Sequence, residues 1–262
     1  MRAFHGAIVS SRCEAARPRP AHVVALLVLL ALSSGCQSSR ANPTYRAPSR
    51  DIKTVTLVQP DVKVYRLHLD DTRELVDEWS EQVRKNIVRS VSKLVEKRGR
   101  FVLSGPGEIR PGAEQQEYAD VRPLFEVVAV SALTYAVNLR DPAADPLFPV
   151  KRQLFDYSLG PLPALANAAG TDALLFVYAF DYVSSGERKA AVAFRALIAP
   201  MQPGHSMMAA ALVDPRTGDL LWFSARRRPA KGIFSFSDLR VAGDAESMVA
   251  DVFEDLAAPA RK

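Results

Sequence analysis

The chain reads as a single α/β domain, a mixed β-sheet flanked by helices, and three observations predict it. Residues 173–180, ALLFVYAF, are continuously apolar rather than alternating, the pattern of a strand buried on both faces. The segment TRELVDEWSEQVRKNIVRSVSKLVEKRG places Leu75, Trp79, Val83, Ile87, Val91 and Leu94-Val95 three or four residues apart, giving a long helix one apolar stripe with which to lie on a sheet. Residues 207–213 and 219–225 are strand-like and flank the turn Pro215-Arg216-Thr217-Gly218. A strand covered on both faces calls for helices on both sides, so one layered α/β domain satisfies all three.

The elements follow in order. Arg17 and Arg19 precede the apolar run of residues 23–32, VVALLVLLAL, and Ser33-Ser34-Gly35 leads to Cys36. Ten helical residues span about 15 Å, half of a bilayer's hydrocarbon thickness, so the run reads as an export signal rather than a transmembrane helix. Residues 37–51, QSSRANPTYRAPSRD, have almost no apolar periodicity and read as a flexible tether of at most about 50 Å. Residues 54–58 then suit a first interior strand, Pro60 interrupts it, and residues 62–69 resume it. Asp70-Asp71-Thr72 offers caps for the long helix, with Glu74 and Asp77 in its first turns and Gly99 at its end.

Residues 100–104 read as a short strand closed by Gly105-Pro106-Gly107. A second helical stretch covers residues 117–139, its main part starting near Asp120 because Pro123 suits only an opening turn. Residues 140–163 hold five prolines and form a long irregular excursion whose Leu147, Phe148, Leu154 and Phe155 need somewhere to dock. Residues 163–169 are a short helix ended by Gly170, and residues 187–199 suit either helix or strand. Residues 243–256 close the chain as a helix packing through Met248, Val249, Val252, Phe253 and Leu256. The predicted order is β-β-α-β-α-α-β-α-β-β-α.

The segment Leu32-Ser33-Ser34-Gly35-Cys36 resembles the lipobox of bacterial lipoproteins, in which a peptidase cuts before a cysteine whose thiol is diacylated. Ser34 and Gly35 fit the small positions before the cut, while Ser33 stands where the family has a branched apolar residue. The resemblance implies a signal over residues 1–35 cleaved between Gly35 and Cys36, an acylated Cys36 with its tether over residues 36–51, and an α/β domain over residues 52–262. Several acyl chains on one cysteine anchor durably, since each buried methylene contributes about 0.8 kcal/mol. Gln37, where lipoproteins kept in the inner membrane carry aspartate, implies the periplasmic face of the outer membrane.

Three further pieces, the TDALLFVYAF strand with its Gly170-Thr171-Asp172 entry, the ALVDPRTGDLLWFS hairpin and the closing helix, resemble lipoproteins with a fold like the TolB N-terminal domain. That group includes the curli secretion lipoprotein, the penicillin-binding-protein activators and neisserial surface lipoproteins. It implies a TolB N-terminal-domain-like fold and a non-enzymatic interaction or assembly module with a periplasmic or outer-membrane protein partner. Self-association is left open. Residues 140–163 are too rich in proline to supply the curli protein's pore strands.

Charge and residue inventory narrow the function. Of the net charge of +5 on 262 residues, residues 1–35 supply +3, and the remaining +2 gives no argument for nucleic acid, which an exported chain does not meet. Without the signal the chain keeps Cys36 as its one cysteine, and His68 and His205 as its histidines, so no disulfide, thiol chemistry, metal motif or nucleotide loop is expected, and no cofactor. The rival is a membrane-tethered hydrolase using His205 with Asp172 or Asp214. Asp214 and Asp219 otherwise read as turn residues. The candidate interaction site is Arg226, Arg227, Arg228, Lys231, Phe234 and Phe236, four cations beside two aromatic rings, suited to anionic headgroups or an acidic partner. Trp222 reads as core.

Overall fold

In a computed structural model the chain divides into two compact units, Met1–Cys36 and Gln37–Lys262. The structure describes residues 39–42, 52–106, 109–137, 150, 154–195, 204–229 and 238–256, all in the second unit. The signal region and the cleavage residues Gly35 and Cys36 lie outside the described residues, as do Lys231, Phe234 and Phe236. No described helix is long and apolar enough to cross a membrane.

Among the described residues eight strands form one mixed sheet: β1 Ser39–Ala41, β2 Thr54–Leu57, β3 Asp61–Leu67, β4 Arg73–Leu75, β5 Val102–Ser104, β6 Ala173–Ser184, β7 His205–Val213 and β8 Leu220–Pro229. The order is β1-β8-β7-β6-β2-β5, with β3 also pairing β6 and β4 pairing β3. Pro60 divides one edge of β6 between two partners, since β2 pairs residues 173–175 in parallel and β3 pairs residues 178–184 in parallel. β7 and β8 follow antiparallel as the hairpin the turn residues predict.

Helices cover both faces, as a doubly buried β6 requires. On one side α1, Asp77–Arg98, and α5, Ala242–Val252, present Val83, Ile87, Val91, Met248, Val249 and Val252 to Val55, Val177, Met208, Leu212 and Trp222. On the other, α2, Ala113–Ala132, and α3, Pro163–Ala169, present Val121, Phe125, Ala129 and Leu165 to Leu174, Phe176, Ala209 and Phe223. A further helix, α4, is Gly186–Arg195, which settles residues 187–195 of the helix-or-strand stretch for helix; residues 196–199 lie outside the described residues.

Four local expectations are corrected. The long helix does not start at Thr72: Asp70 Oδ1 accepts from Thr72 N and Oγ1 at 3.1 and 2.6 Å, and this turn feeds β4, which pairs Tyr65–Leu67. Strand pairing wins there, and Leu75 is 49% exposed rather than part of the helix stripe. The second helix starts at Ala113 with Pro123 well inside it, because burial of Val121, Phe125 and Ala129 offsets the ~3 kcal/mol an interior proline costs. It ends in a π-helical turn, Leu133–Val137. Ser39–Ala41, expected as tether, pairs antiparallel with Trp222, Phe223 and Ser224 and closes that edge of the sheet. In the proline-rich excursion Phe155 docks in the core at 1% exposure while Leu154 stays 53% exposed; Leu147 and Phe148 lie outside the described residues.

The β7–β8 hairpin is pinned to this excursion at Gly218. Its φ of 77° is left-handed, and a Cβ there would stand 1.9 Å from Gly160 O. Leu159 N donates to Gly218 O at 2.9 Å, so glycine allows the two backbones to meet.

Candidate functional site

Alternation along β8 separates the three arginines that are contiguous in sequence. Met208 faces Arg226 and Ser206 faces Arg228 on the α5 side, whereas Met207 faces Arg227 on the opposite side. Arg226 Nη2 lies 3.6 Å from Glu254 Oε2, and Arg228 Nη2 donates to Ser247 Oγ at 2.9 Å and to Asp251. Asp251 of α5 and Glu254, two residues past its end, thus neutralise two of the predicted contact residues. Arg227 is exposed.

Arg227 belongs instead to a face that sequence reading did not assemble. The even positions of β6 point one way: Phe176 packs on Phe125 of α2 at 5.3 Å, and Tyr178 donates its hydroxyl to Glu126 Oε1 at 2.7 Å. Lys63 Nζ reaches the other oxygen of Glu126 at 2.5 Å and lies 5.6 Å from the Tyr178 ring centre. Burial penalises the charged form of Glu126, but the bonds from Lys63 and Tyr178 outweigh it and hold its carboxyl below the usual range. This triad marks the edge of the α2 cover.

Beyond it the rings become partly exposed. Tyr65 of β3 lies 5.3 Å from Tyr182 of β6, Phe180 lies 5.2 Å from Tyr182, and His205 of β7 lies 5.5 and 4.9 Å from Phe180 and Tyr182. Arg73 of β4 stacks 4.8 Å above the Tyr182 ring and donates to its hydroxyl at 3.1 Å. Partial burial, then the positive charges of Arg227 and Arg73, push the His205 imidazolium down to about 4, so the ring is neutral at neutral pH. The period-two recurrence of Phe176, Tyr178, Phe180 and Tyr182 was a visible signal for this face. It was masked by the apolar alternate positions Leu175, Val177 and Ala179, which made residues 173–180 read as uniform core.

The hydrolase pairing fails on topology. His205 opens β7 and Asp214 follows its last residue, so nine residue steps of extended strand, about 30 Å, separate them. Asp172 precedes β6, whose residue Leu174 pairs with Val213, which puts it at that same far end. There it accepts from Lys53 N, Thr54 N and Thr54 Oγ1 at 3.0, 2.9 and 2.9 Å, bonds that hold its carboxyl below the usual range and lock the entry of β2. Asp214 Oδ1 accepts from Arg216 N at 3.0 Å within the turn, as expected. His68 pairs with Glu74 at 3.0 Å on β3 and β4. Among the described residues no cluster of His, Cys, Asp or Glu converges to hold a metal ion.

One buried acid joins the other side of the sheet. Asp181 is fully buried; it accepts from Ser206 Oγ and from Leu239 N, both at 2.8 Å. Asn86 Nδ2 donates to Leu239 O and Arg240 O at 3.1 and 2.9 Å, fixing the same loop from α1. The guanidinium groups of Arg240 and Arg66 lie over the Trp79 ring at 4.1 and 4.7 Å from its centre. The arrangement clamps the segment that leads into α5.

No protein-family model matches the chain, and no curated protein matches it. Solved structures do. The chain is similar to the PelC dodecamer subunit of Paraburkholderia phytofirmans, with 12% identity over 84% of this chain and 96% of that one and a TM-score of 0.37. It is also similar to lipoprotein GNA1162 of Neisseria meningitidis, with 14% identity, 78% and 98% coverage and a TM-score of 0.34. The C-terminal domain of LpoB from Salmonella enterica matches with 13% identity, 71% and 90% coverage and a TM-score of 0.25.

Proposed function

We propose that the chain is a lipid-anchored, periplasm-facing, non-enzymatic interaction or assembly module of the bacterial cell envelope. The observation that carries the reading is the run VVALLVLLAL followed by Ser33-Ser34-Gly35-Cys36. A signal cut before Cys36 leaves that sulfur for acylation and the sheet domain outside the cytosol. Gln37 favours the outer membrane. The candidate contact residues Arg226, Arg227, Arg228, Lys231, Phe234 and Phe236 then serve a protein partner, with Arg227 the arginine of the three that carries no ion pair among the described residues.

Metabolic labelling with a clickable fatty acid tests the anchor. Label is expected on the wild-type chain and absent from Cys36→Ala. An unlabelled wild-type chain, or one retaining its leader in soluble cell material, defeats the reading.

A further inference from the structure

The partly exposed rings of Tyr65, Phe180 and Tyr182 lie in a stripe that crosses five neighbouring strands, with an exposed arginine at each end. Arg73 stands on β4 and Arg227 on β8, and the strands between them are β3, β6 and β7. Arg227 lies in the row of Met207 and Phe180 and Arg73 in the row of Leu67 and Ser184, so four interstrand steps of about 4.8 Å and an offset of four residues along β6 separate the two backbones by about 23 Å, the length of about seven extended residues.

Charge selects the occupant. Lys63, which borders the rings, is already compensated by Glu126. Arg73 and Arg227 have no carboxylate partner among the described residues, and His205 between them stays neutral at neutral pH. Stacking on Tyr182 fixes the Arg73 guanidinium in place, which reduces the entropy lost when it meets a carboxylate. Ring geometry selects further. Tyr65 and Tyr182 are tilted by 31°, Phe180 and Tyr182 by 56°, and Phe180 and His205 by 83°. Rings tilted against one another do not make the flat platform on which a sugar stacks. Two isolated cations are also too few for a membrane surface, where each basic residue contributes about 1 kcal/mol. Tyrosine and arginine together are the residues that dominate protein contacts.

We propose that this face, built from Tyr65, Arg73, Phe180, Tyr182, His205 and Arg227, docks an extended acidic segment of a partner protein. The inference rests on the reading of the chain as an interaction module and names the surface and the partner chemistry. Carboxylates of the segment meet Arg73 and Arg227, and an apolar or aromatic side chain between them packs against the rings beside Tyr182.

The test titrates the full chain, purified in detergent and labelled at histidine, with a capped peptide of six glutamates around one tyrosine. Saturable binding, weakened by salt, is expected, and carboxylates arriving near His205 should raise its midpoint by about one pH unit. The double variant Arg73→Gln, Arg227→Gln is expected to bind at least about tenfold more weakly with an unchanged melting temperature. Equal binding of a six-lysine peptide, an unmoved His205 signal, or undiminished binding by the double variant overturns the proposal. So does a response to phosphatidylglycerol vesicles or oligogalacturonate in place of the peptide, which assigns the face to lipid or sugar. Loss of envelope crosslinks in wild-type cells, by contrast, counts against the interaction reading itself whatever the peptide does.

Discussion

Ser206 Oγ donates to Asp181 Oδ1 at 2.8 Å inside the sheet, and neither residue has measurable exposure. Burial pushes the Asp181 carboxyl up to about 7 from an ordinary 3.8, against the lowering effect of the bonds from Leu239 and Ser206. The folded chain therefore holds a proton that the unfolded chain releases. The stabilisation from this group is complete below about pH 4, declines as pH rises toward 7, and changes no further above that. Asp181→Asn keeps the shape, and the serine hydroxyl can turn to accept from the amide. Urea unfolding is expected to show the variant more stable than wild type at pH 8, by on the order of 2–4 kcal/mol, with a flatter profile between pH 4 and 7. Identical slopes for the two proteins refute the assignment.

Phe125 is 2% exposed against Phe176, whereas Val127, two residues along the same helix, is 65% exposed. Phe125→Ala leaves a cavity between α2 and the sheet and is expected to cost about 3–5 kcal/mol. Val127→Ser is expected to stay within about 0.5 kcal/mol. Thermal unfolding of the pair checks that α2 packs in this register; comparable losses at both positions would contradict it.

Gly218→Ala places a methyl 1.9 Å from Gly160 O at a left-handed φ. The backbone must move, and a loss of about 2–4 kcal/mol is expected. Gly99→Ala is the control, because φ there is 59° but nothing lies within 4 Å of its added Cβ; about 1 kcal/mol is expected. Equal effects in calorimetry would remove the close approach of hairpin and excursion.

Arg228 and Arg227 separate stability from recognition. Arg228→Gln loses the bonds to Asp251 and Ser247 and is expected to destabilise the domain by about 1 kcal/mol. Arg227→Gln is expected to leave the melting temperature unchanged while weakening capture of the crosslinked partner. The reverse pattern would put the contact on the α5 side of β8.

Much of the fold was legible because it rests on periodicity. The apolar run of residues 173–180, the helical stripe of Val83, Ile87 and Val91, and the DPRTG turn each impose one local geometry. Pairing a doubly buried strand with amphipathic helices leaves few architectures. Helix starts were less legible: Asp70-Asp71-Thr72 is as good a turn as a cap, and pairing of Arg73–Leu75 with β3 decided between them. Likewise Pro123 was outweighed by burial that only the assembled core supplies.

The sequence by itself determined the identity of the core strand, the hairpin that follows it and the order of the elements other than β1 and β4, because those depend on residues close together in the chain. Only the tertiary structure decided the fate of the charged and aromatic side chains. The alternation of β8 turned Arg226 and Arg228 toward acids on and just past α5 and left Arg227 on the other face, and sheet order gathered Tyr65, Tyr182, Arg73 and His205 from four separate strands. Strand pairing brings together residues more than a hundred positions apart, and no local pattern records which strands become neighbours.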